Sequence, residues 1–297
     1  MLRWGRAAAK LNLALELLGR RGDGYHLLAA VSQTVAWSDV VGAELGDAAA
    51  GLAPEPPQLT VLGPQAAGVP LGVTNLAVRA ALLLRQRGLG PPVRRLALVK
   101  RVPSQAGLGG GSADAAAVLR LVGADASADA LRQLALECGA DVPFSLLGGA
   151  ALVSGVGEEL SPLPSLAQGV FLVAVLGRVP TAAAYAATVP ADFSSGERVA
   201  AVAQALRQGL APQAELLGSS LEPAAVRAAP QLGPQLTALR RATPQQGWAL
   251  TGSGGGCFCY LPQAQLAAEV ADAVSRALPG LELRLLLPDP RVAAVRG

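Results

Sequence analysis

The chain has 297 residues, 52% hydrophobic and 15% charged, so it carries ample apolar side chain for a core and is not a disordered polypeptide. A net charge of +3 is too small for a protein that grips nucleic acid by broad phosphate neutralisation. Three cysteines (Cys138, Cys257, Cys259) with no Cys-x-x-Cys pair argue against a disulfide framework or zinc ribbon, and a single histidine, His26, excludes a multi-histidine metal site.

Only two of the 24 basic residues, Lys10 and Lys100, are lysines. Where arginine serves as the general cation, a lysine asks for a chemical reason. The Arg- and Ala-rich first fifteen residues show no signal-peptide pattern and are expected to belong to the folded protein. The charge-free stretch 160–177 contains Pro162 and Pro164 and makes a poor membrane span. The expectation is a soluble cytoplasmic protein with no nucleic-acid or membrane partner.

The alternation in Lys10-Leu11-Asn12-Leu13-Ala14-Leu15-Glu16-Leu17 predicts a strand with one buried face. A turn cluster, Arg20-Arg21-Gly22-Asp23-Gly24, leads to a second strand over 27–40. Asp47 to Gly72 reads as a loop or hairpin insert rich in Ala, Gly and Pro. A helix follows over 75–87, ending at Gly88, and then a strand over 93–100. A glycine run at 107–111 opens a helix from about Ser112 to Val122. A shorter helix over 127–137 precedes Gly139-Ala140-Asp141-Val142-Pro143.

Strands at 150–156 and 170–176 flank a Pro-rich turn at 161–165, the natural place for a domain joint. The remainder reads as helices near 196–208, 221–228 and 233–242, a strand with a glycine run at 248–260, a helix over 263–277 and a last strand near 281–287. Without a strict β-α repeat this is α+β, not a doubly wound parallel sheet. Cys257 and Cys259 alternate with Phe258 and Tyr260 and read as buried strand residues.

The sharpest feature is Pro103-Ser104-Gln105-Ala106-Gly107-Leu108-Gly109-Gly110-Gly111-Ser112. Glycines let backbone N–H groups approach an anion closely, and the helix behind them offers unpaired donors and a positive dipole end. Ser112 can cap that helix or offer its hydroxyl to a phosphate or metal. A Walker A loop would need Gly-Lys-Ser/Thr, which is absent, and the dinucleotide fingerprint fails at its third glycine.

This run resembles the central motif of the GHMP kinases, which include galactokinase and the homoserine and mevalonate kinases. Ala9-Lys10-Leu11-Asn12-Leu13 and Leu250-Thr251-Gly252-Ser253-Gly254-Gly255-Gly256 fit the same superfamily, in the same order. Within it, Arg21-Gly22-Asp23-Gly24-Tyr25-His26 and Gly139-Ala140-Asp141-Val142-Pro143 resemble the members that act on diphosphocytidyl methylerythritol.

The resemblance implies a two-domain GHMP kinase fold: an N-terminal ATP-binding α/β domain over 1–157 and a C-terminal ferredoxin-like α/β sandwich over 158–297, whose last strand can return toward the first domain. It implies ATP and Mg²⁺ as cofactors, with ATP held by Pro103, Gly107, Leu108, Gly109, Gly110, Gly111 and Ser112. The second glycine turn, at 252–256, would brace that loop. Ser112 is also the candidate Mg²⁺ ligand.

Phosphoryl transfer asks the protein mainly for alignment and charge stabilisation, with a base to receive the hydroxyl proton. The resemblance implies Asp141 as that base and Lys10 as its electrostatic partner. From local sequence alone Asp141 also reads as a helix cap before Pro143, and Lys10 as a solvated strand residue. Tyr25 and His26 would read a cytosine face and edge, with Tyr185, after Pro180-Thr181, closing the other face. Asn12 and Thr181 are implied substrate contacts.

Two departures stand out. Ala113 stands where relatives often have a second hydroxyl, and the extra glycines of the third motif suggest a slack loop. The implied reaction is phosphorylation of the substrate's 2-hydroxyl in non-mevalonate isoprenoid synthesis. A homoserine- or mevalonate-type kinase is the alternative, and it would not need a cytidine-reading Tyr-His turn.

Overall fold

The computed structural model describes residues 1–46 and 56–290. Strands β1 (Leu2–Arg20) and β2 (His26–Leu45) form a long antiparallel hairpin. Strand β3 (Gln58–Leu62), helix α1 (Leu76–Gln86) and strand β4 (Val93–Val99) follow. Next come α2 (Gly110–Val122), α3 (Ala128–Cys138), α4 (Val142–Leu147), β5 (Ala150–Ser154) and β6 (Glu159–Leu163).

The second half holds β7 (Val170–Val175), α5 (Thr181–Ala186), α6 (Glu197–Arg207), β8 (Gly218–Ser219), α7 (Glu222–Ala228) and α8 (Leu232–Ala242). It ends with β9 (Ala249–Leu250), β10 (Gly256–Leu261), α9 (Leu266–Ala277) and β11 (Leu283–Leu286).

The architecture is α+β, with two sheets. One has the order β3-β4-β2-β1-β8, with β5 and β6 branching from β2; the other is β11-β7-β10-β9. The first sheet therefore takes in β6 and β8 from beyond residue 157, while β11 pairs with β7 and a lone bridge joins Val35 to Pro288.

Strand β7 explains how the layers join. Val170, Leu172 and Ala174 pack with α7, α8 and α9, while Phe171 and Val173 pack with Leu11, Leu13 and Val35 of the first sheet. A strand covered on both faces needs a continuous apolar run, and Val170–Val175 supplies one. Strand β10 divides in the same way, with Cys257 and Cys259 toward the helices and Phe258 and Tyr260 toward the first sheet.

Three expectations change. Strand β1 is buried on both faces from Ala9 to Leu17, because helices or the second sheet cover each side. The segment expected as a Pro-rich turn contains strand β6; Pro162 is tolerated there because β6 is an edge strand paired only with β5. Of the insert expected over 47–72, residues 47–55 lie outside the described residues, and 58–62 form β3, parallel to β4.

Candidate active site

A cavity of about 1020 Å³ opens where β1, the glycine loop, α4 and α5 converge. Every candidate residue named from the sequence lines it: Lys10, Asn12, Tyr25, His26, Pro103, Gly107 to Ser112, Asp141, Thr181 and Tyr185. Its size is at the upper end of the roughly 300–1,000 Å³ usual for small-molecule sites.

The floor is the loop from Pro103 to Ser112. Gly107 (φ 71°) and Gly109 (φ 68°) are both left-handed. A Cβ on Gly107 would lie 2.0 Å from the carbonyl oxygen of Thr251, so the third motif packs directly under the loop. The N-cap of α2 is Gly109, and Ser112 is the third helical residue, so the expected capping role falls to glycine backbone. Ser112 instead lines the cavity. Ala113 is buried among Ala7, Val41 and Val118, so a hydroxyl there would meet core and not phosphate.

The third motif is not slack. A Cβ on Gly255 would stand 2.6 Å from the Gly177 carbonyl oxygen, and one on Gly256 would stand 2.5 Å from that of Ala106. Those glycines are there because two backbones meet.

Lys10 and Asp141 come together. Lys10 Nζ lies 3.6 Å from Asp141 Oδ2, with the lysine side chain 6% exposed and the aspartate 53%. The pairing of β1 with β2 slips between Ala8 and Lys10 and again between Asn12 and Ala14, so the segment that carries Lys10 and Asn12 sits between two irregularities. The backbone N–H of Lys10 donates to Leu108 O at 3.0 Å, which ties the strand to the loop.

The Lys10 ammonium also donates to Asn12 Oδ1, and Asn12 Nδ2 donates to Ser32 Oγ at 2.9 Å. Asn12 thus engages its amide at both ends and orients the lysine. Asp141 takes the N-cap position of α4 but makes no side-chain capping bond. Its carboxylate faces the lysine instead.

The other end of the cavity is aromatic. Tyr25 is 66% exposed at the turn after Asp23, whose Oδ1 accepts from the Tyr25 N–H at 3.2 Å. His26 and Tyr185 have ring centroids 5.3 Å apart and tilted by 47°. Burial and the nearby Arg20 charge hold the His26 imidazole below its usual pKa. Burial, reinforced by the Asp141 charge, pushes the Tyr185 phenol up, so it stays protonated. Thr181 Oγ1 and Ser253 Oγ are 3.1 Å apart, joining α5 to the third motif.

One cluster was not expected as a unit. Lys100 is 2% exposed; it donates to Asp39 Oδ2 and, at 2.6 Å, to Asp114 Oδ2. Asp39 Oδ1 accepts from the backbone N–H groups of Arg101 and Val102, just before the loop. Lysine scarcity pointed to Lys100, but its partners lie 61 and 14 residues away in sequence.

Comparison with known proteins decides the family. Residues 75–149 match the GHMP kinases N terminal domain. A 4-diphosphocytidyl-2-C-methyl-D-erythritol kinase of Polaromonas sp. strain JS666 is 40% identical over 269 residues, covering 86% of this chain and 82% of that protein. The chain belongs to the 4-diphosphocytidyl-2-C-methyl-D-erythritol kinase family.

A crystal structure of 4-(cytidine 5'-diphospho)-2C-methyl-D-erythritol kinase matches with TM-score 0.71 and 36% identity, over 97% of this chain and all of that one. A homoserine kinase from Cytophaga hutchinsonii matches with TM-score 0.68 at 18% identity, over 97% of both chains, a likeness of fold alone. Among the described residues of this family member no helix is long and apolar enough to cross a membrane.

Proposed function

We propose that this chain transfers the γ-phosphoryl group of ATP to the 2-hydroxyl of 4-diphosphocytidyl-2-C-methyl-D-erythritol, in non-mevalonate isoprenoid precursor synthesis. The observation that carries the reading is the approach of Lys10 Nζ to 3.6 Å from Asp141 Oδ2, in the cavity floored by the glycine loop. Asp141 receives the hydroxyl proton, and Lys10 stabilises charge that develops on the attacking oxygen. The loop's N–H donors and the N-terminus of α2 hold the ATP phosphates.

The cytosine ring lies between Tyr25 and Tyr185, with His26 at its edge. Residues 1–157 supply the ATP site and 158–297 the second face of the substrate site. Cytoplasm is the compartment that suits three free, buried cysteines.

Mg²⁺ fits this site as a nucleotide-borne ion. Among the described residues no cluster of three His, Cys, Asp or Glu could cage a metal. Mg²⁺ is commonly held by substrate phosphates, water and one or two hard oxygens, and the Ser112 hydroxyl is the candidate donor in the cavity. The ion would neutralise charge on the β- and γ-phosphates. All other tasks fall to the chain's own groups.

The test is an ADP-release assay with the cytidine substrate, homoserine and mevalonate side by side. Turnover is expected with the cytidine substrate only; turnover restricted to homoserine or mevalonate would refute the assignment.

A further inference from the structure

Thr188 lies just beyond α5 and belongs to none of the motifs above. Its hydroxyl donates to Tyr185 O at 2.8 Å, and its backbone N–H reaches the same carbonyl at 3.2 Å. His26 Nε2 is 2.9 Å from Thr188 Oγ1. A hydroxyl has one proton and a carbonyl has none to give. While that proton rests on Tyr185 O, Thr188 Oγ1 accepts from the ring, an arrangement that requires the hydrogen on Nε2. In a neutral imidazole Nδ1 is then a bare acceptor.

The ring is also fixed in place. Tyr185 lies against it on one side, and Phe193 has its centroid 6.1 Å away, tilted by 50°. Because the Thr188 hydroxyl bonds both His26 and the α5 carbonyl, the imidazole is tied to the helix that carries Tyr185. The imidazole and the Tyr185 ring are therefore held by one hydrogen-bonded unit.

We propose that Thr188 is a specificity-positioning residue: it fixes His26 as the Nε2–H tautomer, so that Nδ1 accepts from an exocyclic amine and disfavours a carbonyl at the same place. This rests on the reading that the Tyr25–His26 turn faces a nucleobase. The amine at carbon 4 distinguishes cytosine from uracil, which has an acceptor oxygen there. Two acceptors facing each other would leave both unpaired, the arrangement by which a polar site rejects a near-isostere.

His26 is the chain's one histidine, so untagged protein labelled with ¹⁵N-histidine gives a single imidazole to follow. Long-range ¹H–¹⁵N spectra at pH 7.5 are expected to show a protonated Nε2 and a bare Nδ1. A protonated Nδ1 in the wild-type protein would overturn the proposal. In kinetics, Thr188→Val is expected to raise KM for the cytidine substrate about five- to tenfold, the effect of one lost neutral hydrogen bond.

KM for ATP and the rate at saturation are expected to stay within about twofold, a split that separates lost recognition from general damage. Thr188→Ser is expected to restore KM, and Thr188→Val to narrow the preference for CDP over UDP as competitive inhibitors. An unchanged KM, or a rise that Thr188→Ser fails to rescue, would overturn the proposal. Wild-type protein that fails to turn over the cytidine substrate would overturn the functional reading itself. A protonated Nδ1 with turnover intact would remove only this inference.

Discussion

The chain's two lysines both reach the start of α2, Lys10 beside Gly109 and Lys100 through Asp114, and their surroundings differ. Lys10 lies on the cavity side: its stem runs along Gly109, where a Cβ would come within 3.0 Å of Lys10 Cγ, and its ammonium meets one amide oxygen and a half-exposed carboxylate. Lys100 is sealed between two buried carboxylates. An ammonium has three protons to donate. At Lys100 two of them go to charged partners inside the protein. At Lys10 one goes to an amide and the nearest carboxylate stands at 3.6 Å, which leaves capacity for a substrate oxygen. Identical side chains thus serve different ends, and exposure of the partner carboxylate separates them: 53% for Asp141, 0% and 4% for Asp39 and Asp114.

The comparison breaks most directly at Asp141. Asp141→Asn is expected to lower kcat by about 10³-fold, within the range for loss of a general base, while ATP affinity by calorimetry stays nearly unchanged. A wild-type rate would remove Asp141 from the mechanism. Next comes the exchange of phenotypes between the lysines. Lys100→Met leaves two buried carboxylates without their counter-charge, a loss of about 3–5 kcal/mol in denaturant unfolding. Lys10→Met is expected to cost about 10²-fold in turnover and far less stability. Equal stability losses in the two variants would erase the distinction drawn above.

What could be read from the sequence follows the range of the interaction. The glycine loop, α2 and the Lys10–Asn12 strand segment were legible because their chemistry is local: dense glycine before an apolar helix, and alternation along a strand. Asp141 was legible only as a motif. Locally it resembles a cap before Pro143, and nothing nearby in sequence says that its carboxylate turns to a lysine 131 residues away. The two-sided burial of β1 was hidden because alternation shows which residues share a face and not what covers it. Ser32, which anchors Asn12, looked like any strand serine. Thr188 has no meaning until α5 folds back on the Tyr25–His26 turn. The third motif follows the same rule: its glycines read as looseness in sequence until the opposing backbones of Gly177 and Ala106 are in view.

The buried cluster also carries a proton linkage of its own. Burial pushes the Asp114 carboxyl up to about 7; Lys100 pulls against that and Asp39 adds to it. Burial also opposes the Lys100 charge, but Asp114 and Asp39 outweigh it and hold the ammonium above its ordinary value. Lys100 therefore stays charged across the neutral range, and Asp114 is the group of this pair that titrates there. Its folded-state value lies above the ordinary 3.8, so the folded protein binds the proton more tightly than the unfolded chain. Stability from this group is then greatest at low pH and falls between about 4 and 7, by at most about 1.4 kcal/mol per pH unit. Asn cannot titrate. Asp114→Asn is thus expected to unfold at a temperature that gains on the wild type as pH rises from 5 to 7 and holds a constant offset above that. Parallel wild-type and variant curves across that range would show that the buried triad takes up no proton.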